Sequence, residues 1–186
     1  MSKKPYIYDA IFIDRDGTLN PDPGYISSLK DFQLYSFTLD ALKKLSTLSP
    51  HLCIITNQSG ISRGLIEKDE LDKIHSYLIG KIEQENMAIS GLYVCTDLPG
   101  TGSKRRKPQP GMFFEAEKDL SIKLNQCLMI GDSVSDMEAG HGLNMDTMLV
   151  LTGRGQETLK KISDKYISFT VKNLYEGART LSNSKN

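Results

Sequence analysis

An α/β fold on a mainly parallel sheet is predicted by three observations. Short apolar runs rich in β-branched residues alternate along the chain with longer stretches of helical periodicity. The first four of these runs each deliver a polar, chemistry-bearing segment, as strands do at the carboxyl edge of an open parallel sheet. Hydrophobic content of 39% and charged content of 25% over 186 residues suit a chain that buries one core. With no linker, internal repeat or low-complexity stretch, residues 1–186 are expected to form a single domain.

Met1 to Pro5 is expected to be a loose terminus. The first strand spans Tyr6 to Ile13 and ends in Asp14-Arg15-Asp16-Gly17-Thr18. Turn formers follow from Leu19 to Tyr25, and Phe32 to Tyr35 is expected to form a short hairpin arm with part of that segment. Leu39, Leu42, Leu45 and Leu48 share one face of a helix over Thr38–Leu48, which Pro50 stops. His51 to Ile55 is the second strand and leads into Thr56-Asn57-Gln58-Ser59-Gly60. Leu71, Ile74, Leu78 and Ile82 stripe a helix over Lys68–Asn86, and Leu92 to Cys95 is the third strand. A Pro/Gly/basic loop covers Thr96–Gly111, and Phe113–Leu120 is helical. Cys127 to Ile130 is the fourth strand. It ends in Gly131-Asp132-Ser133-Val134-Ser135-Asp136, with a helix from there to about Gly140. Thr147–Leu151 is the fifth strand, followed by Thr152-Gly153-Arg154-Gly155. A helix near Glu157–Ile162, a short strand at Tyr166–Thr170 and a helix over Val171–Leu181 complete the chain, with fraying from Ser182 to Asn186.

Composition excludes several classes. A formal net charge of zero gives no overall field to recruit nucleic acid or an anionic membrane. No run is long and apolar enough to span a bilayer, and MSKKPYIYD lacks a signal-peptide core. Cys53, Cys95 and Cys127 are too few and scattered for a disulfide framework, so a cytoplasmic chain with reduced thiols is expected.

The polar segments together supply what phosphoryl transfer needs. Asp14 and Asp16 are paired carboxylates at a strand end, able to hold a divalent cation or to act as nucleophile and acid/base. A D-x-D-G-T match arises by chance in only a few of every roughly thousand chains this long. Assigned separately, Asp14 is the candidate nucleophile. Asp16 would protonate the leaving oxygen and later deprotonate the attacking water. Thr56 and the amides of the Thr56–Ser59 loop can donate to phosphate oxygens, and Lys107 offers a point charge. Asp132, with the Asp14 carboxylate and the Asp16 main-chain carbonyl, would complete a Mg²⁺ site. His51, His75 and His141 lack partners at ligand spacing and read as surface or half-buried residues.

These motifs, in this order, resemble the haloacid dehalogenase superfamily: DRDGT, the strand-ending Thr56, Lys107 and GDSVSD. More narrowly, DRDGTLN, TNQSGISRG, RKPQPGM and GDSVSDMEAG are similar to the small bacterial phosphatases of D-glycero-D-manno-heptose 1,7-bisphosphate and of histidinol phosphate. The resemblance implies a three-layer Rossmann-like core with strand order 3-2-1-4-5 and little or no cap domain. It implies substrate contacts from Asp22, Pro23, Gly24 and Tyr25, from Thr56, Asn57, Gln58 and Ser59, and from Arg106 and Lys107. The same resemblance implies that Ser133 adds to the metal shell, with Asp136 supporting it from behind. Those relatives carry a zinc loop of pattern C-x-H, then C-x-C before R-K-P. Here Cys95 fits the first ligand, but Asp97, Ser103 and Arg105 replace the others. No structural zinc is expected, and Cys95 reads as a core thiol.

The expected activity is Mg²⁺-dependent hydrolysis of a phosphorylated sugar, with heptose 1,7-bisphosphate the leading substrate and an aspartyl-phosphate on Asp14. Histidinol phosphate is the alternative. A DNA 3′-phosphatase would need more cationic contacts than the one basic cluster, Lys104 to Lys107, supplies. A monomer acting on a small molecule, with neither nucleic acid nor membrane as partner, is expected.

Overall fold

A computed structural model describes residues 7–183. The loose terminus at Met1–Pro5, the start of the first strand at Tyr6 and the fraying over residues 184–186 lie outside them. The strands are β1 (Ile11–Ile13), β2 (Leu52–Asn57), β3 (Gly91–Cys95), β4 (Leu128–Gly131), β5 (Asp146–Val150) and β6 (Phe169–Val171). All pair in parallel, in the order β3-β2-β1-β4-β5-β6. The expected order 3-2-1-4-5 is thus present, extended by one edge strand. The helices are α1 (Thr38–Leu45), α2 (Lys68–Gln84), α3 (Gly111–Leu120), α4 (Val134–Gly142), α5 (Gly155–Lys161) and α6 (Leu174–Asn183).

The two-residue period of a strand splits the core into two layers. Ile11, Ile13, Leu52, Ile54, Leu128, Ile130, Met148 and Val150 face α1, α2 and α6. Phe12, Cys53, Ile55 and Met129 face the other way, against α3 and α4. Helices therefore cover both faces, and the central strands can be apolar on both sides. Register fixes the site's floor: Ile13 lies opposite Ile54 on one side and Ile130 on the other. The residues leaving β1, β2 and β4 therefore emerge together at the switch point.

Three local expectations are corrected. β1 begins at Ile11, not Tyr6, because the preceding backbone bonds elsewhere: Ile7 and Tyr8 N–H groups both donate to the Leu48 carbonyl, and Asp9 N–H donates to the Gln126 carbonyl. Phe32–Tyr35 forms no hairpin arm. Its tie to the earlier segment is a single bond from Tyr35 N–H to the Leu19 carbonyl, after a 3₁₀ turn at Leu29–Asp31 capped by Ser28. The last helix starts at Leu174 because Val171 pairs in β6 opposite Val150, and Asn173 Oδ1 accepts the Glu176 N–H at 3.0 Å. Among the described residues no helix is long and apolar enough to cross a membrane.

Two helical glycines should respond oppositely to alanine. Gly80 in α2 has nothing within 4 Å of a new Cβ, so Gly80→Ala should stabilise by about 1 kcal/mol through helix propensity. Gly140 in α4 sits so close to the sheet that a Cβ would lie 2.7 Å from Thr147 Cγ2 and 2.9 Å from Met129 Cβ. Gly140→Ala should therefore destabilise by about 1–3 kcal/mol. Denaturant unfolding of both variants checks the pair.

Candidate active site

Asp14 leaves β1 with its N–H bonded to the Ile130 carbonyl at 2.9 Å, so its position is set by the sheet. Lys107 reaches it from the long loop before α3. The Lys107 side chain is 2% exposed, and Nζ donates to Asp14 Oδ1 at 2.7 Å and to the Ile55 carbonyl at 2.8 Å. It also pairs with Asp136 Oδ1 at 2.6 Å. Asn57 clasps the Lys107 backbone from β2: Lys107 N–H donates to Asn57 Oδ1, and Asn57 Nδ2 donates to the Lys107 carbonyl, each at 3.1 Å. Burial alone would drive the ammonium neutral, but Asp136 and Asp14 outweigh it and raise its pKa.

Asp132 follows β4 and is buried. Asp136 lies one helical turn on, in the capping box of α4, where its Oδ2 accepts from Ser133 N–H at 3.1 Å and Ser133 Oγ at 2.7 Å. Ligand oxygens of Asp14, Asp132 and Asp136 lie within 4.8 Å of one another. Burial pushes the Asp14 carboxyl well up, with Lys107 opposing and the Asp136 and Asp132 charges adding to the rise. Burial and Asp136 push Asp132 up to about 7, against the Arg154 N–H bond. Three crowded carboxylates thus face one ammonium. An all-oxygen donor set with an uncompensated charge fits a hard divalent cation such as Mg²⁺. Both Asp136 oxygens are engaged, Oδ1 by Lys107 and Oδ2 by Ser133, whereas Asp14 and Asp132 face the cavity and are the carboxylates left to hold it, with the Asp16 carbonyl as the further expected ligand.

The Asp16 side chain is saturated. Arg15 donates from Nε to Oδ1 at 3.0 Å and from Nη2 to Oδ2 at 2.8 Å. Asn20 donates to Oδ1 at 2.9 Å and Gln58 to Oδ2 at 2.6 Å. Burial would raise its pKa, but Arg15, Asn20 and Gln58 hold the carboxyl below the usual carboxylate range. Arg15 is itself fully buried, and its Nη1 lies 2.9 Å from His75 Nε2. A guanidinium has no acceptor, so the ring nitrogen accepts and His75 is neutral with its proton on Nδ1. His75 is therefore not the surface or half-buried residue expected from the sequence: it is 7% exposed, in the shell behind Asp16. A lone histidine on a helix offers no sequence signal for this.

A cavity of about 330 Å³ opens above these groups. Asp14, Asp16, Asp132 and Lys107 line its floor, with Thr56, Asn57, Gln58 and Ser59 along one side. Asp22, Gly24, Tyr25 and Arg106 also line it, and Pro23 does not. Arg63, Ser133, Ser135 and Arg154 line it as well; of these Arg63, Ser135 and Arg154 were not among the expected contacts. Arg63 and Arg154 stand in polar, Gly-containing segments after strands, which is the signal that could have found them.

At the positions corresponding to zinc ligands, hydrogen bonds occupy the donor atoms. Ser103 Oγ donates to Asp97 Oδ2 at 2.5 Å, and Cys95 Sγ lies 3.5 Å from the same oxygen. Arg105 is forked onto Glu115 at 2.6 and 2.9 Å and donates to the Val94 carbonyl at 3.0 Å. Arg106 Nη1 donates to the Asp97 carbonyl at 3.0 Å, which ties this loop to a residue of the cavity wall. Cys95 is buried as a core thiol should be, and also contacts this polar cluster.

Residues 104–176 match the family model described as HAD-hydrolase-like. The chain is 38% identical over 152 residues to the D-glycero-beta-D-manno-heptose-1,7-bisphosphate 7-phosphatase of Pasteurella multocida, covering 78% of this chain and 83% of that one. It is 38% identical over 144 residues to the enzyme of the same name from Helicobacter pylori, with coverages of 77% and 83%. The D,D-heptose 1,7-bisphosphate phosphatase of B. bronchiseptica, solved in complex with magnesium and phosphate, superposes with a TM-score of 0.87 at 27% identity, over 95% of this chain and 99% of that one.

The neutral His75 makes stability pH-dependent. Burial and Arg15 lower its pKa from 6.5 to about 4, so as pH falls the unfolded chain takes up the proton first. The stability that neutral His75 contributes is complete above pH 6.5 and is lost as pH falls toward about 4, by at most about 3 kcal/mol. Denaturant unfolding at pH 7.5 and pH 4.5 should show a smaller loss in His75→Gln, which keeps an acceptor for Arg15 but cannot titrate.

Proposed function

The chain belongs to the HAD-like hydrolases, as a phosphatase related to the heptose-bisphosphate phosphatases, and on that premise we propose that it removes the 7-phosphate of D-glycero-beta-D-manno-heptose 1,7-bisphosphate. One observation carries the reading: the buried Lys107 ammonium and the Asp14 and Asp132 carboxylates form the floor of a cavity whose wall carries Arg63, Arg106 and Arg154. The floor suits the phosphate that reacts, and the guanidinium-lined wall suits a second anionic group on the same small molecule.

Asp14 Oδ is the nucleophile and takes the phosphoryl group as an aspartyl-phosphate. Lys107 neutralises the phosphoryl oxygens while holding Asp14 in place. Thr56 and the loop amides up to Ser59 donate to the remaining oxygens, Gln58 excepted, because its N–H is given to the Cys95 carbonyl at 2.7 Å. Asp14, Asp132 and the Asp16 carbonyl would hold Mg²⁺, which would supply the charge neutralisation an anionic nucleophile needs to approach an anionic phosphate. Asp16 is the acid/base; the bonds from Arg15, Asn20 and Gln58 describe its ionised state, and one of them must open for the carboxylate to take the proton of the attacking water. Asp22, Gly24, Tyr25, Asn57, Gln58, Ser59 and Arg106 contact the sugar and its second phosphate, with Pro23 shaping the turn between Asp22 and Gly24.

We propose that the chain works as a cytoplasmic, single-domain monomer on this small molecule, without nucleic acid or membrane. The basic run at Lys104–Lys107 supports that reading, because Arg105 is committed to Glu115 and Lys107 is buried under the cavity. Phosphate release measured on heptose 1,7-bisphosphate, fructose 1,6-bisphosphate and histidinol phosphate should favour the heptose. A preference for histidinol phosphate would transfer the assignment to the alternative. Asp14→Asn should lower release at least about 10³-fold, and chelation by EDTA should abolish it until Mg²⁺ is restored. Full activity in Asp14→Asn would end the nucleophile assignment.

A further inference from the structure

The turn after β5, Thr152-Gly153-Arg154, lends one guanidinium to the cavity wall, and its three residues also tie together the segment after β1 and the segment after β4. Thr152 Oγ1 donates to the Gly17 carbonyl at 2.6 Å. Arg154 N–H donates to Asp132 Oδ2 at 2.7 Å. The Arg154 guanidinium donates from Nε at 3.1 Å and Nη2 at 3.0 Å to Asp22 Oδ2, and Asp22 Oδ1 accepts the Gly24 N–H at 2.9 Å. Between these contacts Gly153 lies against Asp132 with φ of +53°. A Cβ on Gly153 would fall 2.1 Å from Asp132 Oδ2, and one on Gly17 would fall 2.0 Å from the same oxygen. The Asp132 carboxylate is therefore held between two bare Cα atoms and one amide donor. Nothing in an ordinary surface turn requires that fit.

We infer that the Thr152-Gly153-Arg154 turn is a positioning element of the metal site: it sets the rotamer of Asp132 and, through Arg154, fixes the Asp22 loop against it. The inference rests on the Mg²⁺ reading of Asp14 and Asp132. The Arg154–Asp22 pair is half in solvent, with side-chain exposures of 64% and 10%, so its contribution is geometric more than energetic. Asp132 can then neither rotate toward Gly17 nor swing out past Gly153. The ligand oxygen is fixed before the ion arrives, which reduces the ordering cost of binding.

The test is Mg²⁺ binding by isothermal titration calorimetry on the full chain, with thermal unfolding recorded beside it. Gly153→Ala should weaken Mg²⁺ binding at least tenfold. Gly102→Ala is the control, since Gly102 also has positive φ, +72°, but nothing lies within 4 Å of its Cβ; it should bind Mg²⁺ as the wild type does. Thr152→Val removes the tie to Gly17 together with the hydroxyl's bond to Tyr35 and leaves Gly153 in place; it should weaken binding about threefold, which keeps the test decisive if Gly153→Ala does not fold. Arg154→Ala keeps the amide donor, so Mg²⁺ affinity should stay within twofold while KM for the bisphosphate rises severalfold at near-constant kcat. Wild-type affinity in folded Gly153→Ala or in Thr152→Val overturns the positioning role. An unchanged KM in Arg154→Ala overturns the coupling to Asp22. A wild-type chain that binds no Mg²⁺ removes the metal reading itself, a failure distinct from the other two.

Discussion

The buried Lys107 ammonium is the constraint that organises the rest of the site. A charge this deep is tolerable only when paired and fully hydrogen-bonded. Its partners come from three places: Asp14 after β1, the Ile55 carbonyl within β2, and Asp136 in the first turn of α4. Satisfying one side chain therefore fixes where two strands end and where a helix begins. Asn57 holds the backbone of the same lysine from both sides, which also ties the long loop before α3 to the sheet. The groups proposed to react are consequently borne on rigid elements, as pre-organised catalysis requires.

Charge bookkeeping follows from that arrangement. Asp136 is consumed by Lys107 and by Ser133, so it shields the ammonium and leaves Asp14 and Asp132 facing the cavity. Asp16 is held apart from this cluster by its own cation, Arg15, with neutral His75 behind it. Neighbouring carboxylates thus receive different environments, and different environments let chemically identical groups take different roles. The cluster around Asp14 favours a bound cation, whereas the shell around Asp16 keeps a carboxylate ionised without one.

Much of this was legible in the sequence because strand ends announce themselves. The apolar runs ending in Asp14, Thr56 and Asp132 located three corners of the site, since parallel strands must release their next residues at one edge. The loops between them defined the wall less well. Arg63 and Arg154 lie in polar turns where any charged residue would look like a solvated one. What the sequence concealed were contacts made by folding alone. Arg15 stands between two catalytic candidates and reads as a spacer, yet it is fully buried and forked onto its neighbour. His75 is 60 residues from its partner and falls on an apolar helix stripe. β1 shrank because Ile7 and Tyr8, strand-like in composition, give their N–H groups to Leu48. Composition records what a residue prefers, and such distant partners decide against it.

The most direct measurement is to quench a single turnover of the bisphosphate with borohydride, which reduces an acyl phosphate to the alcohol, and to read the modified residue by mass spectrometry. Conversion of Asp14 to homoserine, dependent on Mg²⁺ and on substrate, is the predicted result. Turnover with no modification at Asp14, or with modification at Asp16 or Asp132 instead, would contradict it.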